Sequence, residues 1–468
     1  MVKRKLAEAI VSSLQLSGTP YDFSQLARFS PRDWARCLGW LDRSGLTLYL
    51  LQQLRDCDAT EVLPPPLLSR FEQNLADNKR RIQNVLAETG SINERFNRAG
   101  VQYVVVKGIS LWPEFCSDPC LRTQTDIDYM IARKSISDAR TVLAESGYET
   151  RGKSDVQFEY ERPLLRVPSP YDSPFKAETT PTVELHIGIW EDVRHHVPLE
   201  EPAFDLDRPK TQEWDGLQFP VLKEQDAFLL QALHAFQHVL SYWVKLSWLL
   251  EIGQFIEKRR EDSLFWNQFT RRLEEAPRLA EFLTIALQLT ARTFSVPVPA
   301  VAQYWTRYVS PTARLWLKNY GPRWARGDRP PHRAKVFPDS KLSLFFQTEY
   351  IPDARTRKHF LRHQLMPWKV PGKQPSVAFR QVKRKPWTRV QARWVDSAYT
   401  VQRLSFHAAA GLRYLWELPS WRYLTRISPG SRTTIKESEG LTGGSLSRPE
   451  APKVRQASLA PPIHKSHS

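Results

Sequence analysis

Val104 to Ile131 read VVVKGISLWPEFCSDPCLRTQTDIDYMI, which is an apolar run, a Lys-Gly pair, an intervening segment and a second strand-like run. The second run contains Asp126, Ile127 and Asp128. Because side chains alternate along a strand, both carboxylates are predicted to point to one face, with Ile127 on the other. Adjacent carboxylates raise each other's pKa unless a cation lies between them. The pattern therefore favours a divalent metal such as Mg²⁺, which accepts one or two carboxylates together with substrate phosphate oxygens.

The segments on either side of this stretch predict an α/β unit. Apolar residues recur at helical spacing from Leu67 to Gly100, and a strand over Gln102–Val106 begins at once. A helix that leads directly into a strand ending in Lys-Gly is a typical start of such a unit. Lys134–Ser137 offers a cap for a helix over Asp138–Ser146, which Gly147 closes. Two further strand-like alternations cover Phe158–Glu161 and Thr182–Trp190.

The predicted strand Thr182–Trp190 places Glu184 and His186 on one face. Glu184 is a candidate third carboxylate beside the two aspartates, although an exposed glutamate at a strand rim fits the pattern too. His186 either contacts the substrate, orients Glu184 or serves as a structural histidine. Lys107 is predicted either to contact phosphate or to lie in solvent at the end of a strand.

From Leu222 onward the apolar period becomes helical. Residues 223–258 carry apolar side chains around most of the helical wheel, as expected for a buried helix pair. His234 and His238 are four residues apart and share a helix face. Because no third ligand accompanies them, we favour packing or hydrogen bonding over a metal site. Further helices are predicted over Leu264–Glu275 and Arg278–Phe294.

The chain is predicted to contain five regions. In the amino-terminal region (1–98), Ser30-Pro31 supplies a cap and a first-turn proline for a helix. A surface loop rich in Pro and Ser is predicted over Pro163–Thr182, and a final helix over Tyr399–Tyr414. The regions are an amino-terminal helical region (1–98), an α/β core (99–218), a helical domain (219–320), a basic, aromatic-rich region (321–426) and a disordered tail (427–468).

Composition favours a globular protein with a polyanionic partner. Hydrophobic residues make up 41% and charged residues 25% of the 468, which is ordinary for such proteins. The formal charge of +17 favours a nucleotide, a nucleic acid or an acidic membrane surface, although a basic proteome accounts for it equally well. The four cysteines do not make a disulfide framework at this length. No apolar stretch is long enough to span a bilayer, and Glu8 interrupts the apolar run of a signal peptide, so we predict a cytoplasmic protein.

The order of these motifs resembles an uncharacterised group of bacterial nucleotidyltransferases within the superfamily that includes DNA polymerase β. The resemblance covers roughly residues 70–260. It implies an α+β fold in which a mixed sheet of the nucleotidyltransferase type is flanked by helices, with further helical regions at both ends of the chain. The motifs that carry the similarity are Lys107-Gly108, Arg122, Asp126-Ile127-Asp128, Glu184-Leu185-His186, His234 and Glu251.

This resemblance also implies the site residues and the cofactor. In the superfamily, carboxylates hold the metals, so Asp126, Asp128 and Glu184 would bind Mg²⁺, and a nucleoside triphosphate would be the substrate. Bound metals neutralise charge on the attacking oxygen and on the leaving pyrophosphate. Where the superfamily usually has a pair of small residues, Gly-Ser or Gly-Gly, this sequence has Gly108-Ile109. The residues implied to contact phosphates or substrate are Lys107, Gly108, Ser110, Arg122 and His186.

Two hypotheses about function follow. The first is an Mg²⁺-dependent nucleotidyltransferase that moves NMP to an unidentified acceptor, whether a small molecule, a protein or an RNA; a narrower form is a toxin-like enzyme that modifies tRNA. The second is a catalytically silent relative that acts as a binding or scaffold protein through its basic carboxy-terminal surface. The intact carboxylates favour the first. The sequence leaves three roles open for the basic, aromatic segments after Pro322: binding nucleic acid, facing solvent or contacting acidic lipid.

Overall fold

The amino-terminal part of the chain is a series of helices that ends in one long helix, α5. The computed structural model describes residues 2–18, 21–162, 175, 181–191, 197–200, 202–242, 244–327, 340–351, 353–366 and 386–427. The helical prediction for the first residues is confirmed, and Ser30 caps α3 in a reciprocal capping box with Asp33. The bounds are α1 Val2–Ser13, α2 Ser24–Ala27, α3 Pro31–Ser44, α4 Thr47–Asp56 and α5 Pro65–Arg98.

A seven-stranded mixed sheet follows α5. Strand β2 lies at its centre, antiparallel to β1 and parallel to β5, and β1 runs parallel to β7. The predicted α+β fold with a mixed sheet and flanking helices is therefore confirmed. The sheet order is β3-β4-β5-β2-β1-β7-β6, with bounds β1 Tyr103–Val106, β2 Asp126–Ile131, β3 Glu149–Lys153, β4 Gln157–Glu161, β5 Thr182–His186, β6 Lys210–Trp214 and β7 Leu217–Val221.

Helices cover both faces of the sheet. On one face, α5 and α6 (Ile136–Glu145) pack against alternate residues of β1 and β2, including Val105 and Tyr129. On the other face, Val106 and Met130 pack against Leu230 of helix α7. The central strands β1 and β2 are therefore buried almost throughout, whereas the outer strands β3 and β6 expose most of their side chains.

The carboxy-terminal half of the described chain is helical, and α10 packs against both α7 and α8. None of the described helices is long and apolar enough to cross a membrane. The helices are α7 Glu224–Leu240, α8 Leu246–Lys258, α9 Ser263–Glu274, α10 Pro277–Phe294, α11 Ala300–Tyr304, α12 Pro311–Asn319, α13 Gly321–Arg326, α14 Leu344–Gln347, α15 Ala354–Leu365 and α16 Pro386–Ile427.

Several predicted bounds were wrong. Strand β5 ends at His186 rather than Trp190, because its pairing with both β2 and β4 ends at that residue. Helix α6 begins at Ile136, and Ser135 makes no side-chain cap hydrogen bond. Helix α16 extends well beyond the predicted Tyr399–Tyr414 at both ends.

Some predicted segments lie partly or wholly outside the residues that the structure describes. The loop predicted over Pro163–Thr182 lies outside the described residues apart from Phe175, Pro181 and Thr182. The tail predicted after residue 427 lies outside them entirely. The same holds for residues 328–339 and 367–385 of the basic, aromatic-rich region.

Candidate functional site

Two neighbouring strands bring the predicted carboxylates to one face of the sheet. In β2, Ile127 and Tyr129 pack in the apolar cluster on the α5 side, so Asp126 and Asp128 point to the opposite face, toward α7. Strand β5 runs parallel to β2, and its Glu184 is the Cα partner of Asp128. Strand pairing therefore sets three acidic side chains side by side.

Four polar side chains gather around Asp128. Lys107 Nζ donates to Asp128 Oδ1 over 2.7 Å, and His186 Nε2 lies 2.9 Å from the same oxygen. His186 Nε2 is also 3.5 Å from Glu184 Oε2. Gln157 Nε2, on β4, donates to that Glu184 oxygen over 2.7 Å. The cluster is a connected network of ion pairs and hydrogen bonds in a mostly buried setting.

Part of this network has the composition of a metal site. Asp128, Glu184 and His186 can each offer one ligand atom, and these atoms lie within 4.8 Å of one another. Among the described residues, Asp126 is not part of this set, although it faces the same cavity. Carboxylate oxygens suit Mg²⁺ and Mn²⁺, whereas imidazole suits transition metals better. The donor set fits a divalent cation and shares Asp128 and Glu184 with the set predicted from sequence.

The pKa values of the two aspartates shift in opposite directions. Burial, reinforced by the charges of Asp128 and Glu184, raises the pKa of Asp126. Burial also acts on Asp128, but Lys107 and His186 outweigh it and lower the pKa of Asp128. Burial opposes the charge on Lys107 as well, yet the carboxylates, above all Asp128, raise its pKa. The repulsion that acts on Asp126 is of the kind that a bound divalent cation relieves.

A strained turn holds Lys107 in the network. Lys107 and Gly108 have positive φ angles of 55° and 49°. A Cβ atom at position 108 would overlap the side-chain amide of Gln124, which donates to the Asp126 carbonyl over 2.7 Å. The Ser110 hydroxyl donates to the Lys107 carbonyl over 2.7 Å. Gly108 and Ser110 therefore shape the turn, while the cavity itself is lined by other residues of the described chain.

Helix α8 positions Arg122 at the cavity. Arg122 Nε donates to Glu251 Oε1 over 3.1 Å, and the Tyr49 hydroxyl of α4 donates to the same oxygen over 3.0 Å. Asn78 of α5 donates to the Arg122 carbonyl over 3.0 Å. Although burial opposes the charge, Glu251 raises the pKa of Arg122, so the guanidinium stays protonated. Three helices thus fix one cation beside the carboxylates.

The carboxylate face and helices α7 and α8 enclose a cavity of about 390 Å³, a size typical of small-molecule sites. His234, His238, Lys245 and Trp248 form what we call the helical wall of this cavity. The ring centroids of His234 and His238 are 4.6 Å apart and lie 4.8 and 4.6 Å from that of Trp248. Burial lowers the pKa of His234, so its imidazole is neutral. The two histidines therefore pack with each other and with Trp248, as favoured from the sequence.

Four residues at the site were not singled out from the sequence: Tyr49, Gln157, Lys245 and Trp248. Tyr49 is 202 positions from its partner Glu251, so no local pattern connects them. Gln157 begins a strand whose pairing with β5 the sequence leaves open. Lys245 is the exception, because a lone lysine in the apolar run SYWVKLSWLL is a visible signal.

Comparisons with known proteins identify the family. A family model described as an uncharacterised nucleotidyltransferase matches residues 30–295, which is more than half of the chain. The match includes the whole sheet and both helices of the helical wall. No curated protein matches the chain. From the family match, the chain belongs to the family of uncharacterised nucleotidyltransferases.

Proposed function

We propose that this chain is a Mg²⁺-dependent nucleotidyltransferase that moves NMP from a nucleoside triphosphate to an acceptor whose identity is open. The observation that carries the proposal is the pairing of Asp128 with Glu184 across β2 and β5, facing a cavity that Lys107 and Arg122 also line. Membership of the DNA polymerase β superfamily and a bacterial source belong to the same proposal and rest on the sequence resemblance. A cytoplasmic location belongs to it too and rests on the hydropathy of the sequence.

The proposed reaction forms a bond between an acceptor oxygen and the α-phosphorus and breaks the bond from that phosphorus to the bridging oxygen of pyrophosphate. When bound, Mg²⁺ neutralises the charge that develops on the transferred group. Asp126, Asp128 and Glu184 would hold it, and Glu184 would also accept the acceptor's proton. His186 would hold Asp128 and Glu184 in place through its contacts with both.

Two cations would hold the triphosphate. Lys107 reaches the cavity from the turn after β1, and Arg122 reaches it from its contact with Glu251. A planar guanidinium can donate two parallel hydrogen bonds to one phosphate, whereas an ammonium acts as a point charge. Arg122 would therefore fix the orientation of the phosphate chain, and Lys107 would contribute attraction near the carboxylates.

Calorimetry of nucleotide binding, with and without Mg²⁺, tests this proposal. The wild type is expected to bind at least one nucleoside triphosphate in a Mg²⁺-dependent way, and Asp126→Asn/Asp128→Asn is expected to lose that dependence. Glu149→Gln, which changes an exposed acid of the same sheet, is the matched control and should bind as the wild type does. Absence of binding by folded wild-type protein would contradict the proposal and favour a scaffold role.

A further inference from the structure

Helix α16 exposes an unusual amount of apolar surface. Of the ten large hydrophobic side chains that are exposed among the described residues, seven lie on this one helix. Trp416 is 83% exposed and Leu412 is 70% exposed. Solvent exposure on this scale, concentrated on one element, marks a surface that contacts something else. The seven, which we call the apolar stripe, are Val401, Leu404, Leu412, Leu415, Trp416, Tyr423 and Ile427.

The members of the stripe lie on one side of the helix. At the helical rotation of 100° per residue, its members fall within an arc of about 140° and extend over about 39 Å. The opposite face of α16 is packed, since Tyr414 and Trp421 are buried and both rings contact Phe345. The helix is therefore anchored to the body of the protein along one side and presents the stripe on the other.

The charges beside the stripe are basic. Arg422 and Arg426 are exposed and lie within the same arc. Glu417 is largely buried, with ion-pair distances of 3.6 Å to Arg413 and 3.9 Å to Arg323. Among the α16 side chains that the structure describes, no acidic one is exposed.

Helix α15 adds further positive charge nearby. It packs against α16, and Lys341 joins the two by contacting the Gln364 carbonyl and His407 Nδ1. Its sequence, ARTRKHFLRHQL, contains no acidic residue. The exposed basic side chains of α15 are Arg355, Lys358 and Arg362.

We propose that the apolar stripe of α16, with the basic side chains of α16 and α15, is a docking surface for a membrane that contains anionic lipid. An interfacial helix combines an apolar face carrying Trp and Leu with basic residues that attract acidic headgroups. The net charge of +17 adds long-range attraction to such a surface. α16 lies along the membrane rather than through it, in keeping with the absence of a spanning helix among the described residues. This inference does not depend on the proposed nucleotidyl transfer.

A second copy of the chain fits the same surface less well. A symmetric contact through the stripe would bury Arg422 and Arg426 on both sides of the interface. The described side chains of α16 offer no exposed acid to compensate them, and an unpaired buried charge opposes association.

Vesicle flotation of the full chain tests the surface. The wild type is expected to float with vesicles of phosphatidylcholine and phosphatidylglycerol. It should bind pure phosphatidylcholine vesicles at least about tenfold more weakly. Leu412→Gln/Trp416→Gln should bind the anionic vesicles about tenfold more weakly, since both side chains lose apolar contact. Arg422→Gln/Arg426→Gln should bind more weakly and with less sensitivity to salt.

Matched controls distinguish binding through this surface from nonspecific hydrophobic binding. Leu264→Gln/Tyr304→Gln removes two exposed apolar side chains from other helices and should float as the wild type does. Because the substituted side chains of α16 are exposed, the α16 variants should keep the wild-type melting temperature. The proposal is overturned if the wild type does not float with anionic vesicles, or if Leu412→Gln/Trp416→Gln floats equally well. A wild-type dimer that this double variant converts to a monomer would overturn it in favour of a second copy.

Discussion

Asp126 and Asp128 are two residues apart on one strand, yet their neighbours shift their pKa values in opposite directions. Asp128 is already held by Lys107 at 2.7 Å and His186 at 2.9 Å. Asp126 has a raised pKa because burial and its acidic neighbours disfavour its charge. We infer that Asp128 is the preorganised member of the pair, and that a bound cation would lower the raised pKa of Asp126.

Gly108 is expected to tolerate a methyl group poorly. Gly108→Ala places a side chain at positive φ and pushes the Gln124 amide away from the Asp126 carbonyl. Gly100→Ala is a matched control, because Gly100 also has positive φ but has nothing within 4 Å of a Cβ atom. Urea unfolding should show a loss of about 1–2 kcal/mol for Gly100→Ala, and about 1–3 kcal/mol more for Gly108→Ala. Equal losses would mean that the Gln124 contact is unimportant.

Glu251 is expected to stabilise the fold mainly by neutralising Arg122. Glu251→Ala leaves the buried Arg122 without its carboxylate, a change that typically lowers the free energy of unfolding by about 3–5 kcal/mol. Tyr49→Phe removes a neutral donor from the same oxygen and should cost about 1 kcal/mol. Urea unfolding of both variants distinguishes these contributions. Similar losses in the two variants would show that the charge on Arg122 is not the dominant factor.

At the scale of elements, the helical wall provides an aromatic surface opposite the carboxylates. Trp248 of α8 lines the cavity with His234 and His238 of α7. If a nucleobase stacks there, Trp248→Ala should weaken Mg²⁺-nucleotide binding by about 1–3 kcal/mol. Inorganic tripolyphosphate, which has no base, should bind both proteins equally in calorimetry, and Trp248→Phe should retain most of the nucleotide affinity. Equal losses for both ligands would place the base elsewhere.

The elements that could be predicted are those with a strong local pattern. The long helix before β1 and the alternation in β2 follow from periodicity alone, and so does the shared face of Asp126 and Asp128. Strands β6 and β7 were not predicted from the sequence, and Pro220 of β7 is a residue type that disfavours a strand interior. The Asp215-Gly216 turn between them was the available signal.

The rest of the site depends on contacts that no local pattern encodes. His186 was predicted beside Glu184, but its 2.9 Å contact with Asp128 exists because β5 pairs with β2 in one register. A shift of one residue would turn Glu184 to the other face of the sheet. The contact between Arg122 and Glu251 likewise requires α8 to pack beside the sheet, which depends on the whole core.

At the scale of the whole molecule, described residues up to Ile427 belong to one compact unit. The candidate site draws side chains from α4, α5, α7 and α8 and from four strands or the turns beside them. Their relative positions are therefore set by global packing rather than by one loop. A substitution that loosens any of these layers is expected to affect the site even when it lies far from the cavity.

Helix α5 links the stability of two parts of the molecule. Leu67, Phe71 and Leu75 belong to the apolar cluster of the surrounding helices, whereas Ile82 and Phe96 belong to the cluster on the sheet. Unwinding one end of a helix removes support from the other, because helix formation is cooperative. The helices and the sheet should therefore melt in a single calorimetric transition rather than two, so that heat cannot release the amino-terminal helices while leaving the carboxylates in place.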